Sequence, residues 1–293
     1  MRALLLALTC SCTPLVAAVA QTGLLVVAHG AGAEWNARVR ETVAQVEWRN
    51  GPVALAFLMG PEAATAGWEA GLSGLVEAGA KEIVAVPLMV STHGSHVRQI
   101  EYYAGLRAAL PAELTEHGSH GSPRARPTVP IRVTSALDAA PELGVALAER
   151  WQGLEPRDRE RPVVLVAHGP SEDEEARAWV RNLASAASIL PLAGLKQPVE
   201  VALLRDDAAA PIRAAAVADM RRRITALSAE TGDSVVVLPV LISSGPIIEV
   251  TIPADLKGMP VRYSRVPLAP LAPLARWIER IAESTPDRLT LTN

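Results

Sequence analysis

The stretch Leu25–Gly30, with the sequence LVVAHG, returns 139 positions later as Val164–Gly169, with the sequence VLVAHG. Two further pairs of similar stretches follow in the same order. They are PVALAFL at 52–58 with PVEVALL at 198–204, and IVAVPLMVS at 83–91 with VVVLPVLIS at 235–243. Three ordered matches at a nearly constant offset predict a duplicated domain.

The repeated apolar runs are short, β-branched and uninterrupted, which is typical of strands buried on both faces of a parallel sheet. Stretches of helical period separate them in both halves: 34–46, 63–78, 97–110, 172–190, 211–230 and 271–283. Fourth strands are expected at 131–134 and 261–266. The alternation predicts an α/β protein with two tandem homologous domains, each a small, mainly parallel sheet flanked by helices.

The domain boundaries follow from composition. Residues 1–20 combine Arg2, an apolar run and the cleavage pattern Ala18-Val19-Ala20, which predicts a signal peptide and export to the periplasm or the extracellular space. A retained membrane anchor is the competing interpretation. The first domain is predicted at 21–151, a charged linker at 152–160 and the second domain at 161–285. Both cysteines, Cys10 and Cys12, lie in the signal segment, so the mature chain would contain no disulfide.

Composition argues against several function classes. Among the 293 residues 49% are hydrophobic and 20% charged, which is typical of a folded globular protein. The net charge of −3 and the aromatic content of 3% argue against nucleic acid as a partner. No glycine-rich phosphate loop is present in the sequence, and we expect no organic cofactor. Once the signal is cleaved, we expect no membrane association and a monomer with two pseudo-symmetric halves.

Histidines follow two strands of the first predicted sheet. His29 comes directly after the first strand, and His93 and His96 follow the strand that ends near Ser91. Because the carboxyl ends of parallel strands meet at one edge of a sheet, these imidazoles should lie close together. Imidazole binds borderline divalent ions and exchanges protons near neutral pH. The pattern therefore predicts a metal site at His29 and His96, with His93 as a third ligand or a neighbour.

These residues resemble a known family, the class II tetrapyrrole chelatases of the CbiX type, which include sirohydrochlorin cobaltochelatases and ferrochelatases. The resemblance rests on the Leu25–Gly30 motif, the Ala56–Leu58 strand, and Val86–Leu88 leading to Gly94–Val97. It implies the bilobal form of the family and insertion of Co²⁺, Ni²⁺ or Fe²⁺ into sirohydrochlorin or a related tetrapyrrole. By motif position, His29 and His96 would hold the ion and take pyrrole protons, so the catalytic pair would also be the metal pair.

The sequence departs from the family at several positions. Met59 stands where the family has a glutamate, and Glu62 is the nearest carboxylate. One extra residue precedes the Gly-x-His motif, which makes His93 a candidate to share or replace the role of His96. The second half has Pro246–Ile248 in place of the second histidine, which predicts a degenerate site.

Three features of the sequence leave alternatives open. We expect His168 to be a relic of the duplication rather than a member of a shared site. Arg205-Asp206-Asp207 is either a ligand-contacting segment or a polar turn. The sequence His-Gly-Ser-His of residues 93–96 recurs at His117–His120, in a loop that we expect to be solvated. The alternative to a chelatase is an exported, non-catalytic binder of metal or tetrapyrrole.

Overall fold

The computed structural model describes residues 21–115 and 128–284. The predicted signal peptide at 1–20 and the histidines His117 and His120 lie outside these ranges. In the first half the strands are β1 (Thr22–Ala28), β2 (Val53–Phe57), β3 (Glu82–Pro87) and β4 (Ile131–Val133). The helices are α1 (Ala33–Val43), α2 (Trp68–Glu77), α3 (Ser95–Tyr103), α4 (Ala112–Thr115) and α5 (Pro141–Gln152).

The second half has the strands β5 (Val163–Ala167), β6 (Val199–Leu203), β7 (Val235–Val240) and β8 (Val261–Tyr263). Its helices are α6 (Asp173–Ala187), α7 (Ala210–Thr231), α8 (Ile252–Asp255) and α9 (Ala272–Glu283). A π-helical turn at Ile247–Thr251 precedes α8, and short 3-10 turns occur at Pro61–Ala64 and Asp158–Glu160. Gln152, predicted to begin the linker, is the last residue of α5.

Each half contains one sheet of four parallel strands. The strand order is β2-β1-β3-β4 in the first half and β6-β5-β7-β8 in the second, so the topology is repeated as well as the sequence. Every strand pair is parallel. The predicted α/β fold of two tandem domains with parallel sheets is thereby confirmed.

The two sheets share one hydrophobic core. A single cluster contains residues of both central strands, such as Leu24 and Leu165, together with Leu147 of α5 and Trp277 of α9. The outer face of each sheet has a separate cluster, one around Leu25 and one around Val164. Because strand residues alternate between faces, β1 and β5 each supply both an inner and an outer core. The second half therefore packs against the first through a shared hydrophobic core.

The helices that join the halves also make polar contacts. Arg280 on α9 donates to both carboxylate oxygens of Glu142 on α5, at 2.5 and 2.8 Å. Such a bidentate pair fixes the relative orientation of the two helices. None of the helices within residues 21–115 and 128–284 is long and apolar enough to cross a membrane.

Candidate metal centre

His29 is the first residue after β1, at the carboxyl edge of the first sheet. The backbone turns sharply at Gly30, whose φ is +85°. A Cβ at Gly30 would lie 2.2 Å from the carbonyl oxygen of Met59, so only glycine fits there. The Nδ1 atom of His29 is 2.8 Å from the carbonyl oxygen of Gly30. Because a carbonyl only accepts, Nδ1 carries the proton and Nε2 keeps its lone pair.

His96 lies in the first turn of α3, after the loop that follows β3. Its Nδ1 is 3.0 Å from Oε1 of Gln99, and Nε2 of Gln99 donates to the hydroxyl oxygen of Tyr103 at 3.0 Å. The buried Gln99 amide is oriented by that second bond, so its oxygen faces His96 and accepts from Nδ1–H. In the neutral form of His96 the proton is therefore on Nδ1, as in His29.

The two imidazoles are in contact although they are 67 positions apart in the sequence. Their ring centroids are 4.6 Å apart and their planes are inclined by 85°. The Trp35 ring flanks His29 at 6.2 Å. Histidines that bind metals usually donate their other ring nitrogen to a fixed acceptor, and both members of this pair do so.

The surroundings of His29 keep it uncharged at neutral pH. Burial is the main cause that lowers the pKa of His29 to about 4, and the neighbouring His96 and His168 lower it further. The Gly30 carbonyl and Asp207 act in the opposite direction. A neutral imidazole is the form that binds a metal ion, so no proton competes for His29 near pH 7.

The loop that carries His93 and His96 is fixed by Asp138. This carboxylate accepts hydrogen bonds from the Ser91 hydroxyl at 3.0 Å and from the Thr92 amide and hydroxyl at 2.9 and 2.5 Å. Asn182 of the second half donates to the same carboxylate at 3.1 Å. The loop after β3 is therefore held from both halves.

His93 contacts its surroundings through its backbone. Its amide donates to the Ser91 hydroxyl at 3.2 Å, and its carbonyl oxygen accepts from the indole nitrogen of Trp179 on α6. The structure brings His29 and His96 into ring contact and gives His93 an anchoring contact with the second half. The prediction that His93 is a third ligand or a neighbour stays open.

The second half contributes His168, which ends β5 as His29 ends β1. Gly169 follows with a φ of +74°, and Nδ1 of His168 is 3.0 Å from the Gly169 carbonyl oxygen. Its Nε2 lies 3.6 Å from Oδ2 of Asp207. His168 and Asp207 both influence the pKa of His29 electrostatically. The interpretation of His168 as a relic of the duplication stays a prediction.

The carboxylate near Met59 is turned away from this edge. Glu62 accepts from the Asn36 amide at 2.9 Å and from the Arg40 guanidinium, and these two bonds hold the pKa of Glu62 below its usual range. Met59 itself contributes its backbone amide, which donates to the His29 carbonyl oxygen at 2.9 Å. Carboxylates that interact electrostatically with the histidines come from both halves: Asp207 acts on His29, and Glu113 is influenced by His96.

The second half offers no counterpart of His96. Ile248 lies fully buried in the π-helical turn, and its carbonyl oxygen accepts from the Tyr263 hydroxyl at 2.8 Å. Across residues 21–115 and 128–284, no group of three or more His, Cys, Asp or Glu side chains is arranged to hold a metal ion. The candidate centre is a pair of nitrogens with the other coordination positions open.

Comparison with known proteins agrees with this architecture. The model of the CbiX family matches residues 23–154. The first half is thus similar to the CbiX family. This match confirms the resemblance found in the sequence, and it covers both His29 and His96. A sequence search of curated proteins finds no significant match.

Solved structures extend the likeness beyond the first half. SirB from Bacillus subtilis with Fe³⁺ superposes with a TM-score of 0.58 at 16% identity, covering 89% of this chain and 94% of its own. The sirohydrochlorin chelatase SirB from Bacillus subtilis subspecies spizizenii, in complex with cobalt, gives the same values. A multi-domain Deinococcus radiodurans protein with structural similarity to chelatases has a TM-score of 0.55 at 16% identity, covering 90% of this chain and 55% of its own. At these identities the likeness shows the fold alone.

Proposed function

We propose that the protein is a sirohydrochlorin chelatase-like enzyme that inserts a divalent metal into a tetrapyrrole. The observation that carries this proposal is the contact between His29 and His96, each with Nδ1 beside a fixed acceptor. The CbiX match to the first half and the fold shared with SirB support it. Cobalt, nickel and iron are the candidate metals, because imidazole binds all three as divalent ions.

The metal is the substrate here, so the site must both hold it and release it. Two imidazole ligands leave coordination positions free for water and for the ring nitrogens of the incoming tetrapyrrole. His29 is better suited to holding the ion than to accepting a pyrrole proton. A base whose conjugate acid has a pKa of about 4 binds a proton only weakly near neutral pH. No organic cofactor enters this scheme.

A second candidate function is non-catalytic binding of a metal or a tetrapyrrole. Met59 stands where the family has a glutamate, and Glu62 is engaged with Asn36 and Arg40. Glu113, the first-half carboxylate that interacts electrostatically with His96, is paired with Arg98 at 2.7 Å. The two nitrogens would suffice for capture even if insertion did not occur. Only a rate measurement separates these two functions.

The decisive experiment measures the entry of Co²⁺, Ni²⁺ or Fe²⁺ into sirohydrochlorin against the spontaneous rate. We expect acceleration by the protein, and its loss in His29→Ala and His96→Ala. His93→Ala tests the open prediction for His93, because its described contacts run through the backbone and should survive the change. Loss of acceleration would make His93 a third ligand, and unchanged acceleration would make it a neighbour. Metal binding without acceleration would favour the binder.

Export of the mature protein is a separate proposal. It rests on the pattern Ala18-Val19-Ala20 after an apolar run. Amino-terminal sequencing of native material should find Gln21 as the first residue of a chain that is not membrane-bound. An intact Met1 on membrane-bound material would refute cleavage.

A further inference from the structure

His168 and Asp207 face each other at the end of the second sheet. Nδ1 of His168 is 3.0 Å from the Gly169 carbonyl oxygen, so in the neutral imidazole the proton is on Nδ1 and Nε2 has a lone pair. Nε2 is 3.6 Å from Oδ2 of Asp207. In that form both atoms are acceptors, and a cation between them would satisfy both.

The separation suits a metal ion. Imidazole nitrogens and carboxylate oxygens bind borderline divalent ions at about 2.0–2.2 Å. An ion about 2.1 Å from both atoms, which are 3.6 Å apart, would see them at an angle of about 120°. Such an angle is acceptable for two neighbouring ligands of one ion, and imidazole with carboxylate is a usual donor set for such ions.

The turn that carries Asp207 is held in place by its neighbours. Arg205 has a left-handed backbone with a φ of +56°, and its amide donates to the His168 carbonyl oxygen at 2.6 Å. Its guanidinium binds Asp173 at 2.6 Å and the Pro170 carbonyl oxygen at 3.0 Å. Asp206 accepts from Arg213 at 2.6 Å. Asp173 and Asp206 are thus paired with arginines, whereas Asp207 faces a histidine.

We infer that His168 and Asp207 form a second binding position for a divalent metal ion, supplied by the second half beside the His29–His96 pair. The position is weaker, because only two protein atoms serve it and the Asp207 side chain is 78% exposed. It deepens the proposed function and rests on it: the second half would receive the ion that the first half inserts. Asp207 would also supply a carboxylate, which the first half lacks at Met59.

Calorimetric titration of the protein with Co²⁺ alone tests this position. Wild type should bind two equivalents, one tighter and one weaker. Asp207→Asn should remove the weaker equivalent or reduce its affinity at least tenfold, and His168→Gln should do the same. Asp206→Asn is the matched control: it removes the same charge from the adjacent residue, whose carboxylate binds Arg213, and should change the weaker affinity less than twofold.

The second position can be measured by itself in a protein that lacks the His29–His96 pair. The doubly substituted His29→Ala/His96→Ala protein should retain one weak equivalent, and adding Asp207→Asn should abolish it. A single equivalent in wild type, or equal effects of Asp206→Asn and Asp207→Asn, would overturn the second position and leave an ordinary His–Asp ion pair. Because this titration contains no tetrapyrrole, it is independent of the insertion assay. Two equivalents without insertion would contradict the proposed function alone, and insertion with one equivalent would contradict the second position alone.

Discussion

The loop after the third strand differs between the two halves more than the sheets do. In the first half, residues 91–96 lead from β3 into α3 and bring His96 to within 4.6 Å of His29, measured between ring centroids. In the second half, residues 243–248 lead from β7 into a π-helical turn, and Ile248, which follows the equivalent strand, is buried. Duplicated sheets with the same strand order therefore support two different edges.

The two loops nevertheless share a structural role. Trp179 and Asn182 of α6 donate to the first-half loop, at His93 and through Asp138. In return, the Ser243 hydroxyl of the second-half loop donates to the Trp35 carbonyl oxygen at 3.1 Å. Each loop is thus held by the first helix of the opposite half. The second half has no equivalent of His96, yet its helix α6 helps to position the loop that carries His96 in the first half.

The largest effect that separates the halves should come from their turn glycines. Alanine at Gly30 would meet the Met59 backbone at 2.2 Å, whereas alanine at Gly169 would meet the Leu203 side chain at 2.9 Å. Both changes strain a positive φ, but only the first also forces two backbone segments apart. We expect Gly30→Ala to cost about 3 kcal/mol or more and Gly169→Ala about 1–2 kcal/mol. Urea denaturation of both variants measures this, and equal losses would contradict the difference.

The pH dependence of stability should report His29 rather than His168. The pKa of His29 is about 4 in the folded protein and near 6.5 when unfolded, so the unfolded chain binds the proton first. Stability is therefore present above pH 6.5 and is lost as the pH falls towards 4, by about 2 kcal/mol between pH 7 and pH 5. Denaturation at the two pH values should show this loss in wild type and most of it in His168→Ala, because burial is its main cause. A loss of the same size in His29→Ala would contradict the assignment.

A smaller effect should follow from cutting the link between α6 and the first-half loop. Trp179→Phe keeps the packing but removes the donor to the His93 carbonyl, so the loop should be less well fixed. We expect Co²⁺ affinity at the first-half pair to fall about threefold to tenfold, roughly 1 kcal/mol. Trp68→Phe is the matched control, because the Trp68 indole nitrogen is buried without a hydrogen-bond partner. Unchanged binding in Trp179→Phe would show that the second half does not position the loop.

The repeats predicted the sheets well because a strand buried on both faces has a distinct apolar pattern. They did not predict α5, although Leu143, Leu147 and Trp151 lie four residues apart on one face. Its place in the shared core depends on the second half, which a local pattern does not describe. The role of His168 could not be predicted from the sequence for the same reason. Its motif predicts the end of a strand, but only the packing of the halves brings it close enough to influence the pKa of His29.

Loss of metal binding at the first-half pair is the most direct test of the account. Calorimetric titration with Co²⁺ should show that His29→Ala and His96→Ala each weaken the tighter binding event more than tenfold, roughly 1.4 kcal/mol or more. His168→Ala should weaken that event less. The contrast follows from the geometry, since the rings of His29 and His96 are in contact and each Nδ1 lies beside a fixed acceptor. Unchanged tighter binding in His29→Ala and His96→Ala would contradict the metal site and leave a protein that keeps only the chelatase fold.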